Sequence, residues 1–182
     1  MYTLGSLTAT PASEHPDLLA PTVRDALLAL GLGDRVGVVE IDPDLSDTAA
    51  TQGAYGLTAD TLANCVIVTG KREGDVRTAA CVVLATTRAN INGLVQKKLD
   101  VRKASFMERS LAVDATGMEF GGITPFGLPS GWPIFVDERV AQSALVITGS
   151  GIRRSKLLVP GDLFASVPGV EIVPELGRLI EV

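Results

Sequence analysis

Residues 117–133 hold five glycines and three prolines in a run that also carries Phe120, Ile123, Phe126 and Trp132. Proline fixes φ and glycine opens backbone angles closed to other residues, so neither helix nor strand suits this segment. A flexible linker would be polar. Four large apolar side chains call for burial, so the segment is expected to pack as an ordered loop whose backbone N–H groups can approach a ligand closely. It runs into a strand candidate, 133–136, which delivers Asp137. On residue types alone, Asp137 is a cap for the turn that follows.

The rest of the chain frames that loop. Its 182 residues, 46% hydrophobic and 20% charged, suit one domain with a buried core and exclude wholesale disorder. Mean hydropathy is high at +0.31. Yet the longest apolar runs, near 65–68 and 79–85, are strand-sized and short of the roughly 18–20 residues of a membrane span. A helix is predicted after Pro21, with Leu27, Leu28 and Leu30 on its apolar face and Gly31 as its stop. Strands are predicted at 35–41, 133–136, 145–148, 156–159 and 170–173. Segments 65–69 and 78–86 read as a hairpin about the polar turn 70–75. Helices are expected at 47–55, opened by Ser46 and closed near Gly56, at 92–99, and briefly at 160–165. Ser105 and Glu108 form a capping box for a further helix ending at Gly117. Too many strand-to-strand steps occur for βαβ alternation. The expected class is therefore α+β, a single domain with a mixed, curved β-sheet surrounded by helices. Residues 1–16, rich in Thr, Ala, Ser and Pro, read as an N-terminal extension, and 17–182 as the folded domain.

Several functions are excluded. Sixteen Lys and Arg against twenty-one Asp and Glu give a net charge of −5, which argues against a broad basic footprint and against DNA as a partner. His15, the single histidine, lies in the extension, so a Ser-His-Asp or Cys-His mechanism has no base in the folded part. One histidine and two cysteines in apolar strands, Cys65 and Cys81, make a metal site implausible, and both cysteines read as buried free thiols. Gly70-Lys71 lacks the earlier glycine and the following Ser or Thr of a phosphate loop. Gly31, Gly33 and Gly37 follow a helix at the wrong spacing for a dinucleotide fingerprint. The first residues lack the features of a secretory leader, so a cytoplasmic location is expected.

A resemblance carries the reading further. Gly121-Gly-Ile-Thr-Pro-Phe-Gly127 followed by Pro133-Ile-Phe-Val-Asp137 resembles the signature of the YbaK and prolyl-tRNA synthetase-associated editing domain family. Ala115-Thr-Gly117, Ile147-Thr-Gly-Ser-Gly151, Gly161-Asp-Leu163 and the upstream Gly56-Leu-Thr-Ala-Asp-Thr-Leu62 fit the same family, in order, over roughly residues 20–168. The resemblance implies a free-standing aminoacyl-tRNA deacylase working in trans in translation fidelity. It would hydrolyse mischarged tRNA, such as tRNA for proline carrying Cys or Ala. No cofactor is implied. The partners would be aminoacyl-tRNA and, as a candidate, prolyl-tRNA synthetase.

An aminoacyl ester is already activated, so its hydrolysis needs a placed water and donors for the developing oxyanion rather than a strong nucleophile. The resemblance assigns that work to Gly121, Gly122 and Thr124, with Asp137 holding the substrate amino group or orienting water. Ile123, Pro125, Gly149, Ser150 and Gly151 would form a pocket sized for small side chains. Family members carry a lysine where this chain has Asn64, which can donate a hydrogen bond but brings no charge. Two readings therefore stand beside the deacylase: a tRNA- or nucleotide-binding homologue that lost turnover, and a hydrolase of some other small aminoacyl compound. Lys97, Lys98, Arg102 and Lys103, and a second group of Arg153, Arg154 and Lys156, are candidate contacts for tRNA phosphates.

Overall fold

The computed structural model describes residues 1–180. The first ten residues are not a tail. β1 (Tyr2–Leu4) and β2 (Leu7–Pro11) form a hairpin, and β2 bury Leu7 and Ala9 on one face. α1 (Pro21–Ala29) starts on Pro21, whose missing N–H is no loss at a first helical position. It buries Val23 and Leu27, four residues apart on one face. β3 (Gly37–Glu40) pairs antiparallel with β2, so the segment expected to be an extension is an integral part of the first sheet. α2 (Thr48–Tyr55) ends on Gly56 in the left-handed region at φ 64°.

β4 (Ala63–Arg72) and β5 (Asp75–Leu84) form a ten-residue hairpin. It is longer than predicted because only Glu73 and Gly74, both at positive φ, make the turn. β6 (Thr87–Ala89) follows. The helix expected at 92–99 is instead a π-helical turn, Ile91–Val95, leading into the short α3 (Gln96–Lys98). β7 (Ala104–Phe106) takes Ser105 into the sheet opposite Thr69, which removes it from capping. Glu108 itself caps α4 (Arg109–Thr116), accepting from the Leu111 amide at 3.2 Å, and Gly117 closes that helix as expected. After the 117–133 loop come β8 (Ile134–Asp137), α5 (Glu138–Gln142), β9 (Val146–Gly149) and β10 (Ser155–Val159). A 3-10 turn, Gly161–Ser166, leads to β11 (Val170–Val173) and β12 (Gly177–Leu179).

Two five-stranded sheets result, ordered β1-β2-β3-β10-β9 and β11-β8-β5-β4-β7, with a small β12-β6 pair beside them. β8 runs parallel to β5 and β11 while the other pairings are antiparallel, so the sheet is mixed, as predicted. A parallel bridge, Leu62 to Ile147, joins the two sheets just before β4 and within β9. The main core lies beneath α1 and the 117–133 loop. Phe126 of that loop is fully buried with its ring 5.7 Å from that of Phe164. The predicted ordered packing of the loop is therefore present, and it fixes the position of residues 120–123.

Candidate functional site

A cavity of about 370 Å³ opens at the seam between the two sheets. One wall is the chain entering α2, with Ser46, Asp47, Thr48 and Thr51; a second is the start of β4, residues 62–66. Phe120, Gly121 and Ile123 of the loop close one side, Ile147–Gly149 of β9 another, and Lys156 of β10 completes the lining. Phe120 stands at the lip with the Arg109 guanidinium 3.6 Å above its ring.

The loop and β9 meet backbone to backbone. A Cβ on Gly149 would lie 2.2 Å from the Gly122 carbonyl oxygen and 2.6 Å from that of Ile123, so no larger residue fits there without moving the loop. The loop amides differ in whether they find an acceptor. Gly122 N–H donates to Glu119 O at 2.9 Å, while Gly122 O accepts from Gly151 N–H at 2.7 Å. The amides of Gly121 and Ile123, both on cavity-lining residues, donate to no acceptor among the described residues. The Thr148 hydroxyl, also on the lining, is buried without a partner. Buried polar groups are nearly always paired, so the Thr148 hydroxyl marks a place where a ligand can bond, and the half-buried Gly121 and Ile123 amides are free to donate to one.

Asn64 lines the cavity, its side-chain oxygen accepting from the Thr48 hydroxyl at 2.9 Å. Lys156 also lines it, contrary to the expectation that it would sit on a phosphate-tracking rim. It is 7% exposed, and its ammonium donates to Ser46 O at 2.8 Å and Gly121 O at 3.0 Å. Burial, with Arg153 adding like charge, pulls it from the usual 10.5 down to about 8, against the opposing pull of Asp47. Cys65 lines the cavity too. Burial, with Cys81 beside it, pushes its thiol far above the ordinary range, so it stays protonated and is no nucleophile. Burial likewise pushes Cys81 up to about 12, and both cysteines are free.

Other predicted residues lie elsewhere. Asp137 is 1% exposed and outside the cavity lining. One carboxylate oxygen caps α5 through the Arg139 amide at 2.9 Å, and the other accepts from the Gly177 amide of β12 at 2.5 Å. The capping role read from residue type alone is the one observed, and the substrate-facing role is not. Thr124 is fully buried off the lining, and Pro125 faces a groove on the α1 side with Leu128 and Trp132. Gly122 stands behind the wall against Ile152. The Ser150 hydroxyl is 2.7 Å from that of Ser155, and Gly151 packs on Ala20, so both support the wall from outside.

The basic groups lie outside the cavity, Lys156 excepted. Arg153 bonds Pro43 O, Phe120 O and the Asp47 carboxylate at 3.0, 3.2 and 3.3 Å, so it clasps the α2 approach to the loop. Arg154 is tied to Glu40 and to the Asp17 carbonyl. Lys98 pairs with Glu171 and lies 5.5 Å from the Phe135 ring, while Lys97, Arg102 and Lys103 are exposed near it, none of them on the cavity. Asp47, which the sequence reading missed, supplies the carboxylate on the lining that had been sought in Asp137. Its signal was its place just before a helix. Among the described residues, no group of three His, Cys, Asp or Glu is placed to hold a metal.

The aminoacyl-tRNA editing domain profile matches residues 42–166, a span that contains every residue of the cavity lining. The chain belongs to the aminoacyl-tRNA editing domain family. No curated protein matches it in sequence. Among solved structures, this editing domain is similar to a protein provisionally named a trans-editing enzyme for prolyl tRNA synthetase. That similarity has 19% identity and a TM-score of 0.73, covering 88% of this chain and 99% of that one. A second, described only as a hypothetical protein, has 20% identity and a TM-score of 0.74 over 86% and 99%. These likenesses establish the fold. No helix among the described residues of the editing domain is long and apolar enough to cross a membrane.

Proposed function

We propose that this editing domain hydrolyses the ester of mischarged aminoacyl-tRNA in trans, removing a small amino acid such as Cys or Ala from the tRNA for proline. The observation that carries the reading is the pair of undonated amides, Gly121 and Ile123, on a wall held rigid by its contact with Gly149. Preorganised N–H donors aimed at a carbonyl oxygen stabilise the oxyanion that forms when water adds to an ester. The Asp47 carboxylate at the lip suits the substrate's ammonium group. Glycine at 149 and the inward Ile123 limit the depth open to a side chain, which favours small acyl groups. Such a sieve is useful because one methylene contributes only about 1–3 kcal/mol of discrimination at a synthetic site.

The test is to charge tRNA for proline with alanine, cysteine or proline, add the protein, and follow ester loss. Faster loss of the alanyl and cysteinyl esters than in buffer, with the prolyl ester spared, supports the reading. No acceleration for any small amino acid overturns it. A second reading, a tRNA- or nucleotide-binding homologue without turnover, is favoured by the uncharged Asn64 on the cavity wall. An inert wild type that gains activity as Asn64→Lys would select it.

A further inference from the structure

Lys156 is an ammonium on a buried central strand with no carboxylate bonded to it. β10 lies between β3 and β9, and all five of its residues are buried. The carboxylate on the same cavity lining, Asp47, is engaged by Arg153 at 3.3 Å. Lys156 makes two hydrogen bonds, both to backbone carbonyls, and an ammonium has three N–H groups. Asp47 attracts Lys156 without a hydrogen bond, and a buried cation with no carboxylate bonded to it is costly unless a ligand supplies more negative charge. The two carbonyls belong to opposite walls of the cavity, Ser46 before α2 and Gly121 of the loop, so the ammonium is held at a fixed point between them.

We propose that Lys156 is a catalytic residue of the deacylation, donating its remaining N–H to the carbonyl oxygen of the aminoacyl ester. This rests on the deacylase reading above. One free N–H at a 7% exposed position suits a single oxygen atom. A phosphate would bring two charged, strongly hydrated oxygens to a point offering one donor. The aminoacyl group is also the extreme end of its tRNA, so it enters deepest and leaves the phosphates outside. In the step, water adds to the ester carbon and the carbonyl π pair moves onto oxygen, where Lys156 and the loop amides meet the charge. Collapse re-forms the carbonyl and breaks the bond to the ribose oxygen, which takes up the proton lost by the water. The products are the free amino acid and a tRNA with its hydroxyl restored, and Lys156 stays protonated throughout.

The experiment compares wild type with Lys156→Met on alanyl-tRNA. It also compares their binding of two adenosine ligands, a 3′-alanylamino amide and a 3′-aminoalkylphosphonate ester whose anionic tetrahedral centre replaces the carbonyl. The expected result is a kcat lower by about 100-fold, with KM moved less than about threefold, and a matching loss of phosphonate affinity only. A kcat within about threefold of wild type, or equal losses for both ligands, overturns the proposal. If Lys156→Met does not fold, Lys156→Gln keeps a donor for one carbonyl without the charge, and the same losses are expected. Should the wild type fail to hydrolyse any ester, the deacylase reading falls. The phosphonate comparison then decides Lys156: anion-selective loss keeps it as the site's anion-holding group, and no selective loss removes it.

Discussion

Replacing Asp137 with alanine separates a structural carboxylate from a catalytic one. In the folded protein its two oxygens bond the Arg139 and Gly177 amides, joining the end of β8 to α5 and to β12. Loss of an N-cap acceptor costs about 1 kcal/mol. Gly177 is buried, so its amide, left without an acceptor, costs about 1–3 kcal/mol more. The Arg139 guanidinium, 3.9 Å from the carboxylate and 38% exposed, adds little. The sum is about 2–4 kcal/mol, which for a domain of this size lowers Tm by roughly 10 °C. Thermal unfolding followed by circular dichroism measures it, with deacylation assayed well below the transition and scaled to folded protein. The expected result is a large fall in Tm with activity per folded molecule nearly unchanged. A Tm within about 2 °C of wild type combined with lost activity would refute the reasoning and return Asp137 to the reacting centre.

Asn64→Lys adds a second ammonium to the cavity that already holds Lys156, and like charges disfavour each other. Activity is expected to stay level or fall, and a rise measured under the same conditions would contradict the assignment of Lys156. Gly149→Ala places a Cβ against the Gly122 and Ile123 carbonyls. A loss of about 1–3 kcal/mol in chemical denaturation, together with a sharp fall in deacylation, is expected from overpacking at the wall. The enzymatic rate above buffer should hold steady below pH 8 and fall above it as Lys156 loses its proton, with Asp47 and Arg153 as the charged groups that tune it. Stability should move the opposite way. Between about 8 and 10.5 the unfolded chain holds a proton that the folded one has released, so folding strengthens with rising pH, by about 3 kcal/mol in full. Urea titrations of wild type and Lys156→Met across that range test it, because the contribution is absent from the variant.

The loop at 117–133 was legible because glycine, proline and large apolar residues together leave few ways to build it. The β4–β5 hairpin, α1 and the Gly117 stop were legible because their signals are local. Two of the failures share one cause, which is pairing between segments distant in sequence. Leu7 and Ala9 show an inside-outside alternation and pair with β1 next door, but it is β3, some thirty residues on, that takes Thr10 and Pro11 and makes the hairpin part of the first sheet. Ser105 makes a sound capping box until Thr69 claims it for the sheet. Asp137 is instructive in the other direction. Residue type gave its role as a cap, and the family resemblance drew it toward the site.

Lys156 was the least legible residue because it follows Arg153 and Arg154 and reads as one more surface charge. Its neighbours on the other side, Leu157, Leu158 and Val159, carried the contrary signal, since an unbroken apolar run marks a strand covered on both faces, where no side chain reaches solvent. Pairing on both edges, to Val39 and to Gly149, then fixes the lysine where the α2 approach and the loop converge. At neutral pH that position opposes folding, because burial and the like charge of Arg153 together outweigh Asp47 and disfavour the ammonium by about 3 kcal/mol net. That cost remains with both carbonyl bonds made, and an apolar side chain of similar length would avoid it. A lysine at a position where an apolar side chain would be more stable is best explained by the charge it brings to the cavity.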